Sequence, residues 1–334
     1  MNFRTSSTPE NTATKALKYI RRSGRLLALG ISLSFAGLAQ GGETMRFVHA
    51  APEVNGDERA AYFWDLLGAA LESNRDTYGD YVIESYPVPM NYARTVAEMS
   101  EGGQERVNVF VPATNPDIET RLLPIRIPAD KGLLGYRALL IVGDTQSRLE
   151  AVRNADDLRR FTIGQGAPWA DSRILEANGF NLVLANEYAG LFKMLGAGRF
   201  DVFSRGVDEI RREWLVQKDQ IPGLQIERNL ILHYPMPRFF FVPRTERGKR
   251  MAERIEDGLR RLAKSGEFDR RYAAYKRHVL AGLDLAGRRV LHVDNPYFKS
   301  TPPYDDKRWW DDLSQELRAD RKCPPAKSTA VRRH

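Results

Sequence analysis

Phe161–Gly206 reads FTIGQGAPWADSRILEANGFNLVLANEYAGLFKMLGAGRFDVFSRG. The order is strand, helix, strand, helix, strand. FTIGQG is a short apolar run closing on Gly164 and Gly166, ADSRILEANG follows as a helix, and NLVLAN is a second strand. In YAGLFKMLGAG, Tyr188, Leu191, Phe192 and Leu195 share one helical face that Gly196 or Gly198 can close. RFDVFSRG then returns to a strand. A glycine-bearing turn between a buried strand and a helix start is where open α/β folds hold ligands. The stretch therefore predicts an α/β fold with a small-molecule site.

Upstream, Met45–Ala51 suits a first buried strand, and Asp57 suits the cap of a helix whose Phe63, Leu66, Leu67, Ala70 and Leu71 fall on one face. Tyr81–Tyr86 reads as a second strand, Tyr92–Met99 as a second helix and Val107–Val111 as a third strand. A passage holding Pro112, Pro116, Pro124 and Pro128 shows little helical period and suggests a crossing between two lobes. A new strand set begins at Gly135. The second proline-containing passage, Leu230–Val242, suggests a return crossing, followed by a long helix marked by Met251, Ile255, Leu259 and Leu262. The expected division is lobe 1 over 42–134, lobe 2 over 135–232, lobe 1 again over 233–317, and a disordered tail over 318–334. Trp309 and Trp310 are expected to seal the first lobe.

Residues 1–41 carry six Lys or Arg against one acid, Glu10, and then the apolar run Leu26–Ala39. A basic flank, a short apolar core and small residues make up a secretory signal, expected to be cleaved near Ala39 to Gly41. The apolar core is shorter than the roughly 20 residues of a membrane span. A periplasmic location follows. Removing the leader's +5 from the chain's +8 leaves a weakly basic mature protein. That balance argues against a nucleic-acid partner. The only cysteine, Cys323, excludes an intrachain disulfide.

Catalytic patterns are weak. The five His lack HExxH or paired spacing, there is no G-x-S-x-G elbow, and Gly164-Gln165-Gly166 lacks the third glycine of a dinucleotide fingerprint. No metal, cofactor or enzymatic activity is expected. The runner-up reading is a dehydratase-like enzyme on the same scaffold.

The leader, the crossing LLPIRIPADKGLLGYRALLIV, and the segments DLRRFTIGQG and YAGLFKMLGAGRFDVF resemble family 3 extracellular solute-binding proteins, the receptors of amino-acid ABC transporters. A divergent subgroup carries LLPIRIP-x-x-KGLLGYR. The resemblance implies a two-lobed type II periplasmic binding protein, monomeric, closing on a carboxylate-bearing ligand such as an amino acid or acidic analogue. It would serve an ABC permease or, alternatively, a membrane sensor. By the same resemblance Arg121 would grip the ligand carboxylate, as its fork suits two oxygens; a surface pair with Asp117 or Glu119 is the other reading. Gly166 and the helix start after it would cradle that carboxylate, with Trp169 as a wall and Asp171 as a cap or amine contact. Tyr92 and Arg94 would contribute from lobe 1, and His49 and Glu53 stand in similar positions. The acidic residue expected near Gly206 is missing; Arg205 stands beside it, either at the ligand or paired to Asp208 or Glu209. Asp208, Glu187 and Asp171 are candidate replacements for the missing acid.

Overall fold

The first strand, β1 (Met45–Ala51), pairs in parallel with β2 (Tyr81–Pro89), and between them run helices α1 (Ala61–Ser73) and α2 (Arg75–Tyr78). This computed structural model describes residues 44–51, 61–101, 105–298 and 306–318. The leader, Glu53, Asp57, Cys323 and the tail beyond 318 lie outside the described residues.

The chain continues through α3 (Tyr92–Ser100), α4 (Pro116–Arg121) and β3 (Leu122–Ile125) before entering a second sheet at β4 (Tyr136–Ile141). Short helices α5 (Thr145–Leu149) and α6 (Ala155–Leu158) lead to β5 (Thr162–Gly166), α7 (Ala170–Ala177), β6 (Asn181–Ala185), α8 (Tyr188–Gly196) and β7 (Val202–Gly206). Then come α9 (Ile210–Gln217), β8 (Gln225–Ile226) and β9 (Leu230–His233). The return passes to β10 (Phe240–Pro243), α10 (Glu246–Ser265), α11 (Glu267–Val279), β11 (Arg289–His292) and α12 (Ser314–Leu317).

Two small sheets, β1-β2 and β3-β10, stand beside a seven-stranded mixed sheet ordered β11-β9-β4-β7-β5-β6, with β8 also on β4. The chain thus passes between sheets over 126–135 and returns over 234–239. The α/β class expected from the sequence is present.

Local chemistry explains many boundaries. Asn91, Asn115 and Asn154 accept the N–H of Arg94, Ile118 and Asp157, and Thr245 accepts that of Gly248, each capping a helix start. Gly266 ends α10 in the left-handed region at φ 75°. The expected faces are the buried ones: Phe63, Leu66, Leu67, Ala70 and Leu71 of α1 meet Met251, Ile255, Leu259 and Leu262 of α10 in one core. Each of these Phe, Leu, Ile and Met side chains contributes roughly 1.5–3 kcal/mol on burial. The helices cross so closely that a Cβ on Gly258 would fall 2.2 Å from the Ala70 carbonyl oxygen. Arg254, wholly buried on α10, spends its guanidinium on the carbonyls of Leu71, Tyr78, Gly79 and Asp80, closing the end of α1 and α2. No described helix is long and apolar enough to cross a membrane.

Two stretches depart from the sequence reading. Val107–Val111 forms bridges at Phe110 and nearby Ala113 rather than a strand. Asn108 takes the Val48 N–H on its side-chain oxygen and donates its own N–H to the Val48 carbonyl. A side chain that substitutes for the ladder ends the ladder. The stretch 233–317 also divides. β10, α10 and Trp309 pack with α1, whereas β11 pairs with β9 in the large sheet and Leu285 and Leu313 enter that sheet's core. The segment 306–318 lies over the first crossing: Asp311 N–H donates to the Lys131 carbonyl, Lys131 Nζ reaches Asp269, and Trp310 covers Gly132. Gly132 has φ +73° and leaves no room for a Cβ under that indole.

Candidate functional site

Three turns converge on the space between the small sheets and the large one: the starts of α3 and α4, and the turn from β5 into α7. Gly166, the last residue of β5, is buried, and its carbonyl accepts the Trp169 N–H at 3.0 Å and Ser172 Oγ at 2.7 Å. The Trp169 indole folds back over this glycine, so a Cβ there would lie 2.4 Å from the ring. Glycine is required because the indole occupies that space. The turn expected to cradle a carboxylate is therefore roofed by the chain's own tryptophan.

Trp169 is also the N-cap residue of α7, and it supplies no side-chain cap. Asp171, in the first turn, turns inward: it pairs with Arg137 at 3.0 Å and accepts the Tyr234 hydroxyl at 2.5 Å. It supplies no helix cap and does not line the cleft described below. Burial and the Asp171 charge push the Tyr234 phenol far above its ordinary range, which keeps it a donor.

Arg205 has no charge left for a ligand. Its fork meets Glu213 through two bonds of 2.7 Å, its Nη2 lies 2.9 Å from Glu209, and its plane sits beneath Trp169 with Cζ 4.7 Å from the ring centroid. Glu213 is 3% exposed, so the pair is fully desolvated. Burial alone would lower the Arg205 pKa, but Glu209 and Glu213 raise it well above the ordinary value. Next to it Arg238, from the return crossing, holds Asp208 at 2.7 Å and Asp130 at 3.5 Å. Burial raises the Asp130 pKa against the pull of Arg238. These linked pairs join both crossings to the loop after β7. Asp208, a candidate for the missing acid, is committed to Arg238 and the Tyr275 hydroxyl through one oxygen.

Beside this network opens a small cleft of about 60 Å³, continuous with solvent. Tyr92, Thr114, Asn115 and Asp117 line one side; Trp169, Ala170 and Arg173 line the other, with Asn295 and Tyr297 at the rim. Asn115 donates to the Tyr92 hydroxyl at 3.0 Å. Burial raises the Tyr92 pKa, so the phenol keeps a proton to donate. Arg173 and Asp117 are exposed and form no ion pair among the described residues. A wider hollow of about 800 Å³ lies toward Tyr62, Asp65, Arg238, Arg271 and Tyr275. Its charges are largely matched internally, Arg271 with Asp65 and Glu267, and Arg238 with Asp208.

Of the residues singled out from the sequence, Tyr92 and Trp169 meet at the cleft, and Gly166 lies under Trp169. Asp171 and Arg205 are buried in internal pairs. Arg121 is not part of the lining; it donates to Ser100 Oγ at 2.9 Å and pairs with Glu101. Arg94 is exposed, and its backbone N–H serves the Asn91 cap. His49 stacks on Trp64 with centroids 4.1 Å apart. Glu187 is exposed at the start of α8. Arg173 and Asn115 were not singled out. Arg173 had one readable signal, since a cation in the first turn opposes the helix dipole unless an anion comes to it. Among the described residues no group of three or more His, Cys, Asp or Glu is placed to hold a metal ion.

No protein-family model matches the chain, and no curated protein does. Among solved structures it is similar to an ancestral arginine-binding protein bound to arginine, at 14% identity and TM-score 0.47, over 70% of this chain and 99% of that one. It is similar to a histidine kinase sensor domain with similarity to periplasmic binding proteins, at 15% and TM-score 0.46, over 70% and 96%. A third likeness, at 11% and TM-score 0.46 over 70% and 94%, is to an ancestral amino acid-binding protein described as a precursor of cyclohexadienyl dehydratase.

Proposed function

We propose that the chain is a periplasmic solute-binding protein of the two-lobed kind, capturing a small carboxylate-bearing zwitterion such as an amino acid for an ABC permease. The observation that carries this reading is the start of α7. It opens on the cleft without a side-chain cap, and the same cleft holds Arg173 and Asp117, charges of both signs with no ion pair among the described residues. Free N–H groups at a helix start favour an anion by about 0.3–1 kcal/mol. A guanidinium beside them adds a planar fork for a carboxylate, and Asp117 and the Asn115 side chain suit an ammonium. Trp169 and Tyr92 supply flat apolar walls, the mixture expected of a small-ligand site.

The leader supports export, and the two crossings supply a place for hinge closure. The test is a thermal-shift screen of the mature protein over amino acids, dicarboxylates and small peptides, followed by calorimetry on any hit. A bound ligand raises the melting temperature by mass action. A flat response to every zwitterion and anion would remove the assignment, and turnover of a hit would replace it with the enzymatic reading.

A further inference from the structure

At the outer edge of the large sheet, just before the chain passes on to the cleft rim at Asn295, three strands bring one row of rings together. β4 and β9 are antiparallel with Tyr136 opposite His233, and β9 and β11 are parallel with His292 opposite His233. The row therefore runs Tyr136, His233, His292 across neighbouring strands. Tyr136 packs against the His233 ring at 4.2 Å between centroids. The two imidazoles meet nearly edge to face, with centroids 5.1 Å apart and Nδ1 to Nδ1 3.1 Å.

We propose that His233 and His292 form a two-imidazole site for a borderline divalent transition-metal ion, Cu2+ foremost and Zn2+ more weakly. Two nitrogens 3.1 Å apart, each about 2.0–2.1 Å from a metal, subtend about 95–100° at it. That angle suits neighbouring positions of a square-planar or octahedral centre and lies close to a tetrahedral one. Imidazole is the ligand type these ions share, and affinity at such a site rises toward Cu2+. His292 is exposed on the edge strand, so water fills the remaining positions and the ion has a path in. The register places both rings on one face; as the rings turn toward the ion, the one that donates its Nδ1–H passes to the Nε2–H tautomer, leaving both Nδ1 lone pairs for the metal. Tyr136 does not compete, because its hydroxyl donates to the Asp311 carbonyl. The bound ion would tie β11, and with it the segment after α11, to the core of the large sheet.

The experiment uses the purified mature protein without an affinity tag, titrated with CuSO4 and separately ZnCl2. Expected are one equivalent of Cu2+ with nitrogen hyperfine structure in its electron paramagnetic resonance spectrum, and a metal-dependent rise in melting temperature. His292→Gln, at an exposed position, should abolish both while leaving the metal-free melting temperature within a degree or two. His278→Gln, at an exposed position on α11, should leave both intact. Equal Cu2+ binding by wild type and His292→Gln, or no binding by folded wild type, would overturn the proposal and leave the pair as a hydrogen bond between rings.

Discussion

The Trp169 indole and the Arg205 guanidinium are stacked with ring centroid and Cζ 4.7 Å apart, and the same indole covers the bare Cα of Gly166. One side chain thus roofs the turn and covers a buried cation. Trp169→Ala should cost about 1–3 kcal/mol, as cation–π contact and packing are both lost. Urea denaturation reads this directly. An unchanged midpoint would mean that the stacked arrangement contributes nothing in solution.

Arg205 and Glu213 form a desolvated pair, so removing one partner strands the other. Arg205→Met should destabilise the fold by about 3–5 kcal/mol, and the double change Arg205→Met with Glu213→Leu should recover a large part of it. A double-mutant cycle in urea separates the two. Additive losses would show that the residues are not coupled.

Gly258 is where α10 crosses α1 at closest approach. Gly258→Ala should lower stability by about 1–3 kcal/mol, although alanine is the better helix former, because its methyl meets the Ala70 carbonyl. A stabilised variant would show that the helices are further apart.

For ligand capture, Arg173→Glu should weaken any carboxylate ligand at least tenfold by calorimetry, about 1.4 kcal/mol. Arg121→Ala and Arg94→Ala should leave affinity within twofold. The opposite ranking would move the anion site to the end of α4.

Asp201 tests the acid limb. Burial pushes its carboxyl up, but the Thr162 N–H and hydroxyl and the Arg148 guanidinium outweigh it and hold the pKa below the ordinary 3.8. The folded state therefore binds fewer protons than the unfolded chain, and the stabilisation is complete above pH 3.8 and lost as pH falls through the folded value. Asp201→Asn should flatten the stability-pH curve in that window, as followed by urea midpoints between pH 2.5 and 5. Parallel curves would assign the acid sensitivity elsewhere.

Periodic apolar faces were readable from the sequence because burial acts on residue type and spacing: α1 and α10 bury the residues that their periods mark, and α8 buries Leu191, Phe192 and Leu195 but leaves Tyr188, at its first turn, exposed. Proline and the loss of period marked the neighbourhood of the two passages between sheets, but the Pro112–Pro128 stretch also carries α4 and β3, and the first passage runs over 126–135. What failed was anything decided by a side chain's choice of partner. Asn108 substitutes for a ladder, Asp171 turns from the helix start to Arg137, and Arg205, beyond the Glu209 pair that was one of its two readings, finds Glu213 eight residues on. A carboxylate and a guanidinium look alike in sequence whether they await a ligand or each other. Only the distance between them separates the two cases.

The segment 306–318 places Trp309 in the core beneath α1 and Leu313 in that of the large sheet, and it hydrogen-bonds the first crossing between them. A polypeptide emerging in order from the ribosome therefore closes neither core until the residues up to Leu313 have been made.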